Sequence, residues 1–121
     1  MKKILVSLLI CLFIVGCGNE KEKNEAQSNI VTGVEAREMI TEGAVLMDVR
    51  TESEYIEQHI EGAVLLPVDN ISSISVDEYV ESKDTVIIVY CRSGNRSSQA
   101  ATKLKDLGYT NVYDLGSINN W

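Results

Sequence analysis

The sequence predicts an α/β domain with a mainly parallel central sheet and helices on both faces. Three observations carry that prediction. Short apolar runs rich in β-branched residues recur along the chain, at Ala44 to Val49, Ala63 to Leu66, Thr85 to Tyr90 and Asn111 to Leu115. Segments with helical spacing and capping signals separate them. Strands that alternate with helices form a parallel sheet covered on both sides, and strands buried on both faces read as nearly continuous apolar runs.

Taken in order, Thr32-x-x-Glu35 is a capping box. It opens a helix whose apolar positions are Val34, Ala36, Met39 and Ile40, ending near Gly43. The strand Ala44 to Val49 follows and runs into Asp48-Val49-Arg50. Asp48 there has one plain reading, a strand-end residue that caps the next turn. Thr51-x-x-Glu54 is a second capping box, predicting a short helix over Glu52 to Glu57 that carries Tyr55 and Ile56 inward. His59, the sole histidine, is read as a turn residue hydrogen-bonding a backbone or carboxylate group, with a general-base role as the alternative. Pro67 ends the strand Ala63 to Leu66. One or two helical pieces are expected between Val68 and Glu81, with Ile71, Ile74, Val76, Tyr79 and Val80 facing the core. After the strand Thr85 to Tyr90, Ala100, Ala101, Leu104 and Leu107 place a helix over Ser98 to Leu107, capped by Ser97 or Ser98 and closed at Gly108. The strand Asn111 to Leu115 is last, and Trp121 is expected as a core plug.

The amino terminus reads differently. Lys2 and Lys3 precede twelve uncharged residues, Ile4 to Val15, and then Gly16 and Cys17. That is a signal-peptide pattern, too short to span a bilayer comfortably. Ile14-Val15-Gly16-Cys17 resembles the bacterial lipobox, which makes Cys17 the expected lipid attachment site; an uncleaved anchor or an ordinary signal peptide is the competing reading. Residues 18–29 are polar with no apolar face, a flexible tether with a root-mean-square reach of about 20 Å. Residues 30–121 form the one domain. The expected location is the extracytoplasmic face of a bacterial cell membrane.

Charge and cysteine count narrow the function. Without residues 1–17, which hold Lys2 and Lys3 and no acid, 9 basic side chains face 18 acidic ones, for a net charge near −9. An acidic domain is a poor partner for nucleic acid or anionic lipid. With Cys11 discarded and Cys17 lipidated, Cys91 is the sole free thiol. No internal disulfide is then available, and with no CxxC and a single histidine no metal or other cofactor is expected.

Cys91 opens the stretch Cys91-Arg92-Ser93-Gly94-Asn95-Arg96-Ser97, between a strand and a helix. Open α/β folds bind ligands at the carboxyl ends of their strands. Unpaired N–H groups and the helix dipole favour an anion there, Arg92 and Arg96 add charge, and Gly94 lets the loop curl around the sulfur. A thiol so placed ionises more readily than an ordinary cysteine. The bland alternative is a small buried residue at a strand end.

This loop, with Asp48-Val49-Arg50, the stretch Glu54 to Ala63 and the closing Gly116-Ser117-Ile118-Asn119-Asn120-Trp121, resembles the single-domain rhodaneses, a family of sulfurtransferases. Gln58, where the family usually has glycine, and Ser117, in place of a second glycine, depart from the pattern. The resemblance implies a rhodanese-like fold and transfer of sulfane sulfur from a small anionic donor such as thiosulfate to a thiophilic acceptor, through a Cys91 persulfide held by loop N–H groups. It implies that Asp48 and Arg50, with Glu54, brace the rim of the site. Arg92 is the candidate to steer anions, and Arg96 to brace the loop. The spacing of Cys91 and Arg96 is one residue shorter than in tyrosine-phosphatase-like loops, which disfavours phosphatase or arsenate reductase chemistry. A non-catalytic docking module and a redox partner for an exported thiol protein stay open.

Overall fold

A computed structural model describes residues 29–121. The expected signal peptide, Cys17 and residues 18–28 of the expected tether lie outside the described residues. The elements run α1 (Gly33–Thr41), β1 (Val45–Asp48), α2 (Glu52–Glu57), β2 (Val64–Leu65), α3 (Ser73–Asp77), β3 (Val86–Cys91), α4 (Asn95–Asp106) and β4 (Asn111–Ser117). Short 3-10 turns occupy Val68–Asn70 and Ile118–Asn120. The four strands pair in the order β2-β1-β3-β4, all parallel. Asn29 and Val31 exchange backbone hydrogen bonds with Asp114, so the chain joins the sheet edge at β4.

Side-chain alternation along β3 divides the interior in two. Ile87, Val89 and Cys91 face the core beneath α3 and α4, with Met47, Val76, Ala100 and Leu104. Ile88 and Tyr90 face the opposite core, with Ala36, Leu46, Ile60 and Leu115, against which Tyr55 and Trp121 pack. The predicted layering, helices on both faces, is the one observed.

Both predicted capping boxes form. Thr32 and Glu35 close α1, and Thr51 and Glu54 close α2. α1 also lies hard against the carboxyl terminus, where a Cβ on Gly33 would collide with the Asn120 carbonyl oxygen. Trp121 is half-buried with the Arg37 guanidinium 4.4 Å above its ring, less enclosed than a core plug.

Several apolar side chains expected inside are at the surface. Ile56 and Ile74 are 72% and 79% exposed, and Val34 and Tyr79 are exposed as well. α2 and α3 are only six and five residues long, so each turns little side-chain surface inward. Tyr55 supplies it for α2, and Val76 for α3.

α4 begins at Asn95, earlier than the predicted Ser98, and its N-cap is Gly94 with φ 103° in place of Ser97 or Ser98. β4 runs two residues past the expected Leu115. A bulge places Val89 opposite Asp114 but Tyr90 opposite Gly116, and it carries Ser117 alongside Cys91.

Candidate active site

The chain passes from β1 outward to β2, then returns to place β3 on the other side of β1. The carboxyl ends of β1 and β3 therefore flank a topological switch point, where such sheets form a crevice. β1 ends in Asp48 and β3 in Cys91.

Cys91 is buried, and its Sγ accepts hydrogen bonds from the backbone N–H of Gly94 at 3.0 Å and of Ser97 at 3.3 Å. Ser97 occupies the third position of α4, whose N–H an N-cap side chain would ordinarily take. Here the sulfur takes it, and no side chain of the N-cap residue does. Sγ thus caps a twelve-residue helix, at the end where the backbone dipole favours negative charge. Burial pushes the thiol upward. The Ser97 N–H and hydroxyl and the N–H groups of Gly94 and Ser93 outweigh burial, holding the Cys91 pKa below its ordinary value. The Ser97 hydroxyl also lies 3.1 Å from the Gly94 carbonyl oxygen, a bond that ties the turn to the helix.

Arg96 is near enough to Cys91 for their charges to act on each other, but its guanidinium is bonded elsewhere. Arg96 is committed to Glu54, with Nη1–Oε1 and Nη2–Oε2 contacts of 2.8 and 3.0 Å. That two-pronged pair clips the loop to α2, as a bracing role for Arg96 requires. The Arg96 guanidinium, with the Thr51 N–H and hydroxyl, lowers the Glu54 pKa to about 2. Arg92, Ser93 and Asn95 are exposed at the tip of the loop. Amide hydrogens rather than guanidinium groups touch the sulfur.

Asp48 and Arg50 form a separate buried pair. The Asp48 carboxylate accepts from the Arg50 N–H, Nε and Nη2, the last at 2.7 Å, and from the Tyr90 hydroxyl at 2.7 Å. Arg50 Nη2 also donates to the Gln58 carbonyl oxygen at 2.6 Å, and Tyr90 accepts from the Ile60 N–H. The pair thereby fixes the connection from α2 to β2. Glu54 bonds Arg96 and no member of this network, and it reaches Arg50 only through its charge, so the brace implied for Asp48, Arg50 and Glu54 is divided between two ion pairs. Burial and the neighbouring Asp48 hold the Tyr90 hydroxyl above its usual pKa, so it stays a neutral donor. His59 stacks on Tyr55 at 3.7 Å and bonds the Tyr55 carbonyl oxygen through Nδ1, which matches its reading as a turn residue.

A cleft of about 250 Å³ opens beside the loop, between Arg92, the end of α2 with Glu57 and Gln58, and Ile118 and Asn119 of the last turn. Sequence reasoning did not single out Tyr90, Glu57 or Asn119. Each is an ordinary residue for its local element, and only the tertiary fold brings it to the site. Among the described residues no group of three His, Cys, Asp or Glu side chains is placed to hold a metal ion.

Comparison with known proteins places this geometry. The chain is 31% identical over 74 residues to the thiosulfate sulfurtransferase PspE of Escherichia coli K12, covering 61% of this chain and 70% of that protein. It is 35% identical over 92 residues to the thiosulfate sulfurtransferase GlpE of Haemophilus influenzae PittEE, covering 75% of this chain and 85% of that one. The solved structure of a rhodanese with anions from E. coli superposes with a TM-score of 0.59 at 30% identity, over 65% of this chain and 92% of that one. The family described as the rhodanese-like domain matches residues 32–121, and the chain belongs to that family.

Proposed function

We propose that the protein is a rhodanese-type sulfurtransferase, in which Cys91 carries sulfane sulfur from a small anionic donor to a thiophilic acceptor. The observation that carries this reading is the sulfur of Cys91 seated as the cap of α4, on the N–H groups of Gly94 and Ser97. That seat stabilises a thiolate before attack and the same charge when Sγ later leaves. Relatives named thiosulfate sulfurtransferases support the choice of reaction.

The first step is nucleophilic attack by Sγ on the outer sulfur of a donor such as thiosulfate. A new sulfur–sulfur bond forms, the donor's sulfur–sulfur bond breaks, and sulfite leaves with the electron pair. Arg92, exposed at the loop tip, steers the anion in. In the second step an acceptor such as cyanide takes the outer sulfur and the pair returns to Sγ. The compact ring of N–H groups suits one added sulfur atom better than a tetrahedral oxyanion, against phosphatase chemistry.

Incubation with thiosulfate and cyanide tests the reading. Thiocyanate forms with the wild type and not with Cys91→Ala; a wild-type protein that forms none supports a docking module instead. We further propose that Cys17 bears a lipid that holds the protein on the extracytoplasmic face of a bacterial membrane, on the lipobox-like sequence before it. Cys17→Ser then shifts the protein from the membrane to the soluble fraction, and continued membrane association refutes the anchor.

A further inference from the structure

Another cavity lies at the opposite end of the sheet from the thiol. Its volume is about 460 Å³, within the roughly 300–1,000 Å³ of small-molecule sites. The floor is the start of β1 and β3, with Val45 and Val86. One wall is the end of α1, with Met39 and Glu42, and the other is the stretch after α3, with Tyr79 and Glu81. These walls belong to different faces of the sheet, since Met39 packs with Ala36 and Leu46 whereas Val80 packs with Val76 and Val89. Each wall therefore brings one carboxylate to the cavity.

Nothing on the protein neutralises those two charges. Among the described residues neither the Glu42 nor the Glu81 side chain has a hydrogen-bond or ion-pair partner, and no basic residue lines the cavity. Glu42 is also the C-cap of α1, whose last turn carries no basic side chain, so the negative end of the helix dipole adds to its charge. Beside Glu81 the Tyr79 ring is 38% exposed, and an aromatic face attracts an ammonium group.

We propose that this cavity binds a linear aliphatic diamine, with one ammonium on Glu42, the other on Glu81 and the methylene chain along the apolar floor between them. A monoamine leaves one carboxylate unpaired, and an anion is repelled by both walls. An inorganic cation makes no use of the floor. At about 3.3 Å per residue along β3, Val86 is about 16 Å from Cys91, so the site is separate from the sulfur relay.

Equilibrium dialysis of the full chain against pentanediamine, with an amine at each end, and against pentylamine tests the assignment. The diamine binds about fivefold more tightly, the size expected of one solvent-accessible ion pair. Glu42→Gln and Glu81→Gln each bring that ratio near one. Both side chains are exposed and unpartnered, so the thermal midpoints of the variants stay at the wild-type value. No saturable uptake of the diamine, equal wild-type affinities for the two amines, or a ratio untouched by both substitutions overturns the proposal. Trilysine that binds more tightly than the diamine, and loses as much on the same substitutions, makes the cavity a docking point for a basic protein segment and overturns it as well.

Discussion

Gly94→Ala separates the two jobs of the active loop. Gly94 is the N-cap of α4 with φ 103°, and its N–H donates to Cys91 Sγ at 3.0 Å. A Cβ there would meet only the Gly116 Cα at 3.8 Å, an ordinary contact. Space is therefore not the obstacle; the backbone is. Left-handed conformations cost L-residues about 1–2 kcal/mol. At about 4–8 °C per kcal/mol for a domain of this size, Tm falls by roughly 4–16 °C. Relief of that strain also swings the N–H away from the sulfur. A hydrogen bond to a charged acceptor contributes about 1.5–3 kcal/mol, which equals about one to two pKa units on the thiol. The assay is the pH dependence of Cys91 alkylation by iodoacetamide, with thermal unfolding of the same samples. Gly43→Ala is the control, because Gly43 has φ 110° and open space around it, at the end of α1. It loses a similar amount of stability without moving the thiol. If Gly94→Ala lowers Tm but leaves the Cys91 pKa where it was, the amide is not what holds the thiolate, and the reasoning fails.

Two further substitutions probe the supports. Glu54→Gln breaks the clamp on Arg96 and costs about 1–2 kcal/mol near neutral pH, since the pair is partly solvated. Because the Glu54 pKa is near 2 in the folded protein against an ordinary 4.5, the unfolded chain binds the proton more readily. The stabilisation is complete above about 4.5 and disappears as pH falls through 2, so the gap between wild type and variant in urea melts narrows over that window. A gap that stays constant from neutral pH to the bottom of the window refutes the assignment. Asp48→Asn leaves the buried Arg50 without its counter-charge and costs about 3–5 kcal/mol in chemical denaturation, against about 1 kcal/mol for Tyr90→Phe. An unchanged midpoint for Asp48→Asn contradicts the structural role given to the pair.

Local signals made much of this molecule legible. The capping boxes at Thr32 and Thr51 depend on residues three apart, and both form as read. The strand that delivers Cys91 is a continuous apolar run, and seven consecutive residues hold most of the chemistry of the loop. What depends on distant partners was harder to read. The first turn of α4 is capped by a sulfur from the preceding strand, so the serines that local preference nominates are not needed as caps. The Glu54–Arg96 clamp joins residues 42 apart, and nothing near Glu54 tells it from a capping-box residue, which it also is. Ile56, Ile74 and Tyr79 read as core from their apolar character alone, but α2 and α3 turn them to solvent, with Tyr55 and Val76 on the inner faces.

The most direct measurement of the central claim is the intact mass of the protein after incubation with thiosulfate, before any acceptor is added. The wild type gains one sulfur atom, lost again on treatment with cyanide, and Cys91→Ser gains none. An unchanged wild-type mass, from a folded protein whose Cys91 alkylates with the pH profile of an ordinary thiol, contradicts it.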